Sequence, residues 1–570
     1  MLEGLEITEV PFINFFKDRE NRLEAEYWNN RNSIKIETFS GEEIIDFVQY
    51  GTSEELNEFQ LGFPVLRLNE FNSFFIGKPE KYCNTISKKE FENYKLIKDD
   101  VLICRTNGNP NLVGRSAIVQ ENTNYAYASY LFKVRPKNEL INSATLVAFL
   151  RCKYGRKEID SYSMVGNQTN FSPAKFREIS IPKLSSTLNE LIKKTFELSA
   201  QKLKKSESEY TEAENILYWE LGLSYLSKEA IDTYQYLLEM EVTPPTVEEL
   251  LSGERDALPD AGDKAIFILE EIKRLNQPTN YNPNNYLQIQ QLEKDLELQL
   301  KKWDKHKDVL MDMMNRLEQH NVGVTNVNKY QQAKQQNHNT KTLKESFLQS
   351  GRIDAEYYQP KYDELLQIIK KIKYNKLGNL VIIKKSIEPG SDAYQNEGIP
   401  FIRVANLSKN GLSDTDVHLS KEEFATFPVM PKKDTILLSK DGSVGIAYKV
   451  EQDLEVITSG AILHLTVTDK NILPDYLTLV LNSTVVKLQA ERDAGGSIIQ
   501  HWKPSEIEQV IIPELDIAKQ TTISQKVQES FALQTQSKQL LQAAKQAVEM
   551  AIEQGENVAL KYLKNFINGR

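Results

Sequence analysis

The strongest constraint on how this chain folds is that it repeats itself. NRLEAEYW at 21–28 returns as GRIDAEYY at 351–358, and GFPVLR at 62–67 returns as GIPFIR at 398–403. DVLICRTNG at 100–108 matches DTILLSKDG at 434–442, and a second glycine follows in each, Gly114 and Gly445. Ser172-Pro173 with Ile181-Pro182 matches Lys503-Pro504 with Ile512-Pro513, and both Pro-to-Pro spacings are nine residues. These five matches are collinear, at an offset of about 330 to 336 residues. A repeat of this length is one structural unit used twice. Each copy reads as turn, buried strand, glycine-bearing turn and strand, because short apolar runs are bounded by Gly, Pro, Asn and Asp.

A long helix follows each copy. Leu188, Ile192, Phe196, Ser199, Leu203, Ser206, Tyr210, Ala213 and Ile216 recur at spacings of three and four. Ile523, Val527, Phe531, Leu540, Ala544, Val548 and Ile552 repeat the pattern, with a weaker stretch at 534–538. A narrow apolar seam on a polar helix needs a partner helix to bury it. Two such helices in one chain predict antiparallel packing on each other, with Ser199 and Ser206 permitting close approach. A helix over about 187–223 would span roughly 55 Å at about 1.5 Å per residue.

Residues from about 224 to 340 have no counterpart after the second helix. They read as a helical insertion, including a charged helix from Tyr286 to about Gln319, that ends in a polar linker at 326–340. The predicted partition is a first domain at 1–183, a spacer helix at 184–223, the insertion and linker at 224–340, a second domain at 341–513 and a distal helix at 514–570. The fold class is α/β (α+β), built as two similar domains with two long antiparallel helices.

Composition narrows the function. Hydrophobic content of 40% and charged content of 26% indicate a folded chain, with room for more than one core in 570 residues. No apolar run has the length of a membrane span, and the first ten residues lack a basic region followed by an apolar one, so a cytoplasmic location is expected. Cys83, Cys104 and Cys152 form no CxxC pair and predict neither a disulfide framework nor a zinc site. A net charge of −10 argues against a chain coated with cations but permits a local basic face.

Catalytic signatures are missing. There is no GxxxxGK[ST] loop and no GxGxxG after a strand, nor any GxSxG or HExxH. The Asn-Pro-Pro-aromatic motif of amino-methyltransferases is absent; Asn109-Pro110-Asn111 and Asn282-Pro283-Asn284 are not versions of it. His306, His320, His338, His418, His464 and His501 have no metal-ligand spacing. No catalytic and no metal-binding residue is assigned. The chain reads as a binding and positioning protein.

The repeated words RLEAEYW and RIDAEYY, the strand-glycine segments at 100–119 and 434–450, and GNQTNFSP at 166–173 with its looser copy GGSIIQHWKP at 495–504 carry a resemblance. The chain resembles the specificity subunit of type I restriction–modification systems over nearly its full length outside the insertion. The resemblance implies two target-recognition domains, each reading half of a split, asymmetric double-stranded DNA sequence, with the paired helices fixing the gap. It implies two DNA methyltransferase subunits that use S-adenosylmethionine to methylate adenine. It also implies two restriction and translocase subunits that use ATP and Mg. Those activities and cofactors would lie in the partners; this chain would be non-catalytic, with no cofactor of its own. A coiled-coil protein-interaction scaffold without DNA readout is the competing reading.

Side chains able to pair bidentately with bases are Arg or Lys with guanine and Asn or Gln with adenine. The first copy concentrates them at Arg105, Asn107, Asn109, Asn111 and Arg115, and again at Asn167, Gln168 and Asn170. Arg151, Lys153, Arg156 and Lys157 are candidates for phosphate. The second copy offers Lys440, Asp441 and Ser443, then Ser497, Gln500, His501 and Lys503. Asn and Gly in turns also serve backbone geometry. The copies differ at Arg105 against Ser439 and at 109–111, which the shorter second loop lacks.

Overall fold

The structure is a computed structural model. It describes residues 33–57, 61–163, 169–223, 357–424, 430–494 and 500–568, with isolated positions elsewhere. The predicted insertion and linker, the N-terminal word at 21–28, Asn167, Gln168 and Ser497 fall outside the described residues. The chain forms two compact units, Met1–Ser206 with Ala532–Arg570, and Glu207–Phe531.

In the first unit a six-stranded sheet has the order β2-β11-β7-β9-β5-β4. These strands are β2 (Ile45–Tyr50), β4 (Phe71–Asn72), β5 (Phe75–Ile76), β7 (Val101–Cys104), β9 (Ser116–Ile118) and β11 (Leu131–Pro136). β7 is apolar at all four positions because both its faces are covered. Val101 and Ile103 face the helices, whereas Leu102 and Cys104 face a second core with Leu66, Tyr127 and Leu131. A smaller sheet joins β10 (Ala126–Tyr127), β3 (Phe63–Leu66) and β6 (Lys81–Cys83). Two ribbons complete the unit: β1 (Thr38–Ser40) with β13 (Ser180–Pro182), and β8 (Thr106–Asn107) with β12 (Thr169–Asn170).

The second unit repeats these pairings. β15 (Val381–Lys385), β23 (Ile462–Val467), β20 (Ile436–Ser439) and β21 (Ala447–Lys449) lie in the order that β2, β11, β7 and β9 have in the first. β16 (Ile399–Ile402) lies between β19 (His418–Leu419) and β22 (Ile457–Thr458), as β3 lies between β6 and β10. β14 (Tyr374–Lys376) pairs with β24 (Ile511–Pro513), and β17 (Leu407–Ser408) with β18 (Gly411–Leu412). The mixed helix-and-strand class expected from the sequence holds.

Backbone hydrogen bonds correct one register. The sequence matched Asp100 to Asp434 and hence Arg105 to Ser439. In the structure Asp99 N donates to Val119 O at 2.9 Å and Asp434 N donates to Val450 O at 2.8 Å. Both residues have positive φ, 70° and 64°. Aspartate tolerates the left-handed region, and either of two adjacent aspartates could fill the turn on sequence grounds. Asp99 fills it, so Arg105 corresponds to Lys440. The glycine match stands: Gly114 and Gly445 have φ of 79° and 82° and donate to Cys104 O and Ser439 O at 2.8 and 2.9 Å.

The long helices are Ser186–Glu220 and Ile517–Gln554, and each unit takes part of both. The sequence had assigned them to separate segments, 184–223 and 514–570. In the first unit Leu188, Ile192 and Phe196 share a core with Leu541, Ala544 and Val548. There the Ser199 hydroxyl donates to Ser537 O at 3.0 Å and lies 2.7 Å from the Ser537 hydroxyl. Lys202 Nζ reaches Gln536 Oε1 at 2.6 Å. In the second unit Tyr210, Ala213 and Leu217 pack with Ile523 and Val527. Lys526 Nζ pairs there with Glu209 and Glu212 at 2.7 and 2.9 Å, and Lys519 Nζ with Glu220 at 2.6 Å. Partner numbers fall as residue numbers rise, so the helices are antiparallel within each unit. Ser199, which interrupts the apolar stripe, is where the helices bond through small side chains.

Candidate nucleic-acid interface

Each unit brings together two loop segments that lie about sixty residues apart in sequence. In the first, β8 follows β7 and pairs with β12, so Thr106 faces Asn170 and Asn107 faces Thr169. Thr106 Oγ1 also donates to Thr169 O at 3.1 Å. In the second, Asp441 bridges His501, and Gly442 N donates to Gln500 O at 2.9 Å. Among the described candidates, Asn107 is therefore a neighbour of Asn170, and Asp441 of His501 and Gln500.

Arg105 and Lys440 sit where the segments cross. Arg105 N donates to Tyr130 O at 2.8 Å, and Arg105 O accepts from Phe171 N at 2.7 Å. Lys440 N donates to Ala461 O at 2.9 Å, and Lys440 O accepts from Trp502 N at 2.8 Å. The backbone holds both cations in the same way, but their heads differ. The Arg105 guanidinium lies 5.2 Å from the centre of the Tyr50 ring. Lys440 Nζ is ion-paired with Asp441. His501 Nδ1 lies 2.9 Å from Asp441 Oδ1. Partial burial pushes the Asp441 carboxyl up, but the bonds from Lys440 and His501 prevail and hold it below its ordinary value.

Other candidates serve the local backbone. Asn107 Oδ1 accepts Asn109 N at 2.9 Å, and Asn109 Oδ1 accepts Asn111 N at 3.0 Å. These bonds build the turn and cap the short 3-10 helix Pro110–Leu112. Asn170 is exposed and Arg115 half-buried. Ser443, Gln500 and Lys503 are exposed, with Lys503 Nζ 3.4 Å from Glu506.

The basic group expected at phosphate is largely committed elsewhere. Arg156 binds Val113 O at 2.6 Å and Pro110 O at 3.2 Å and pairs with Asp160, so it clamps the turn. Arg151 stacks 4.7 Å over Phe74; burial, with Arg115 nearby, brings its pKa down to about 10. Lys153 pairs with Glu553, whose bond to it raises the ammonium pKa. Lys157 remains half-buried. Tyr50, which sequence patterning did not single out, joins the site. Its only sequence signal was an aromatic residue ending a strand before Gly51.

Among the described residues no group of His, Cys, Asp and Glu is arranged to hold a metal. Among them too, no helix is long and apolar enough to cross a membrane.

No protein-family model matches the chain. Over 142 residues it is 26% identical to the type I restriction enzyme StySPI specificity subunit of Salmonella potsdam. That match covers 24% of this chain and 30% of the relative, so it spans less than a third of the relative's length. Among solved structures, the type I restriction-modification S subunit from M. genitalium shares 11% identity over 93% of this chain and 96% of its own, with a TM-score of 0.29. The HsdS subunit from Thermoanaerobacter tengcongensis shares 12% identity over 93% and 95%, with a TM-score of 0.22. Superpositions at that level carry no argument, and the fold rests on the pairings described above. The resemblance read from the repeated words meets an independent sequence match, and the chain is similar to the specificity subunits of type I restriction enzymes.

Proposed function

We propose that this chain is the DNA-recognition subunit of a type I restriction–modification complex. Each unit reads one half of a bipartite, asymmetric target in double-stranded DNA. One observation carries the reading: in both units the backbone fixes a cation, Arg105 or Lys440, at the crossing of two polar loops. Base-edge contacts specify sequence, and polar donors fixed on a rigid frame provide them. The pinned positions match between units while their side-chain settings differ, which fits two heads reading unlike half-sites.

The chain itself is non-catalytic. Two methyltransferase subunits supply adenine-N6 methylation with S-adenosylmethionine. Two restriction subunits supply ATP- and Mg-dependent translocation and cleavage. The long helices dock these partners and set the gap between half-sites.

The test is co-expression with the methyltransferase subunits, followed by mobility-shift assays on duplex DNA and methylome sequencing of the host. The expected result is a retarded duplex and one modified split motif. A complex that assembles but neither binds nor modifies DNA would establish the scaffold reading instead.

A further inference from the structure

The cation at the first crossing is set differently from most of the described arginines. Arg67, Arg135, Arg156, Arg177, Arg403 and Arg492 each sit against a carboxylate. Arg105 has no carboxylate partner among the described residues. It lies on Tyr50, which is 44% exposed and ends β2, the edge strand of the six-stranded sheet. Arg105 Nε is buried and makes no hydrogen bond among the described residues, and the residue as a whole is half-buried. The two terminal amino groups are not among the buried side-chain atoms left without a partner.

We propose that Arg105, laid on the Tyr50 ring, is the residue through which the first unit reads a guanine in the DNA major groove. The proposal rests on the DNA-recognition reading of this site and names the base that one side chain selects. An arginine on an aromatic face keeps its plane, and its planar fork matches the O6 and N7 acceptors of guanine bidentately. The same fork also suits phosphate, so the choice between base and phosphate is carried by the second unit. Two hydrogen bonds fix the Arg105 backbone and the Tyr50 ring supports its head, so less freedom is lost on binding. The second unit supports base reading over phosphate anchoring. Its equivalent cation, Lys440, is occupied by Asp441. A shared phosphate anchor would be kept in both heads, whereas a base reader changes with the base.

The experiment selects bound sequences from a randomised duplex library, using the full chain in complex with its methyltransferase partners. Wild type is compared with Arg105→Gln, Arg105→Lys, Tyr50→Phe and Tyr50→Ala, all checked for unchanged thermal melting. The wild-type motif is expected to contain a fixed guanine in one half-site. Arg105→Gln should weaken that preference by roughly ten- to a hundredfold and leave the other positions intact. Arg105→Lys, which keeps the charge but loses the fork, should fall between. Tyr50→Phe should behave as wild type, and Tyr50→Ala should weaken the same guanine. If Arg105→Gln destabilises the fold, Arg105→Lys and the two Tyr50 variants decide the matter. An unchanged motif in the Arg105 variants overturns the proposal. So does a loss that is uniform across sequences with a shallower salt dependence, which marks a phosphate contact. If wild type selects no sequence at all, the DNA-recognition reading fails first.

Discussion

Lys133 and His464 occupy the same ladder position, opposite Leu102 in β7 and Leu437 in β20. Lys133 is 2% exposed and donates to Lys95 O and Asn93 O at 3.0 and 3.3 Å. It lies 4.0 Å from the buried Asp100, which also pairs with Arg135 at 2.8 Å. Burial lowers the Lys133 pKa to about 8 against the pull of Asp100. Removing one partner of a buried charge strands the other. Asp100→Asn should therefore destabilise the first unit by about 3 kcal/mol. Faster amide exchange in β7 and β11 would register the loss, and unchanged protection would show that the Lys95 and Asn93 carbonyls alone suffice for the Lys133 ammonium. The second unit solves the position without charge: His464 Nε2 lies 2.7 Å from Thr458 Oγ1, and burial pushes its pKa down to about 4. The unfolded chain takes up a proton near pH 6.5 that the folded chain refuses until about pH 4. This contribution is therefore fully present at neutral pH and fades as pH falls through that window. Between pH 7 and pH 5 the loss is about 2 kcal/mol. His464→Gln should remove it, so denaturation of the variant should be less acid-sensitive than that of wild type over the same interval.

The seam between the long helices shows what periodicity can and cannot give. The stripe from Leu188 to Ala213 was legible because helical spacing of apolar residues has one cheap explanation. Its two serines were legible only as interruptions. Their role needed the partner's register, which places Ser199 against Ser537, the residue at the weak point of the second stripe. Both are buried, at 0% and 2% exposure. Ser199→Ala should cost about 1 kcal/mol, the worth of a hydrogen bond. Ser199→Leu, more apolar but larger, should cost more, about 2 kcal/mol, because the close approach leaves no room. Melting of the two variants gives the order, and a stabilising leucine would mean that the seam is loose. The loops were less legible than the helices. Two adjacent aspartates at 99 and 100 left the register ambiguous by one residue. That single step hid the correspondence of Arg105 with Lys440, a backbone fact with no trace in composition. Tyr50 was missed for a related reason: nothing local to β2 announces that the cation following β7 will lie on its last ring.

For the whole molecule, the repeat carried most of the architecture, since two collinear copies followed by long stripes leave few arrangements. The sequence could not show how the helices are divided. Every contact described for residues 188–206 is made with the first unit, and those for 209–220 with the second. A single-helix insertion just after Thr187 would therefore shift buried contacts. Inserting one helical turn in both helices together, after Ser206 and before Ala532, preserves each unit's packing. If the helices set the gap, this double insertion should lengthen the spacer of the modified DNA motif and leave both half-sites unchanged, as read by methylome sequencing. An unaltered spacer would assign the gap to something else.

The first unit begins with the chain's first residues and closes with its last, Ala532–Arg570, whose Leu541, Val548, Ala559 and Leu563 lie in its core. Among the described residues, the core of the second unit extends no further than Phe531. On the ribosome the order of completion is therefore reversed from the order of synthesis. The later half can close while the earlier half still waits for its final helix. A nascent chain cut short just after Phe531 carries a finished second head and an unfinished first one.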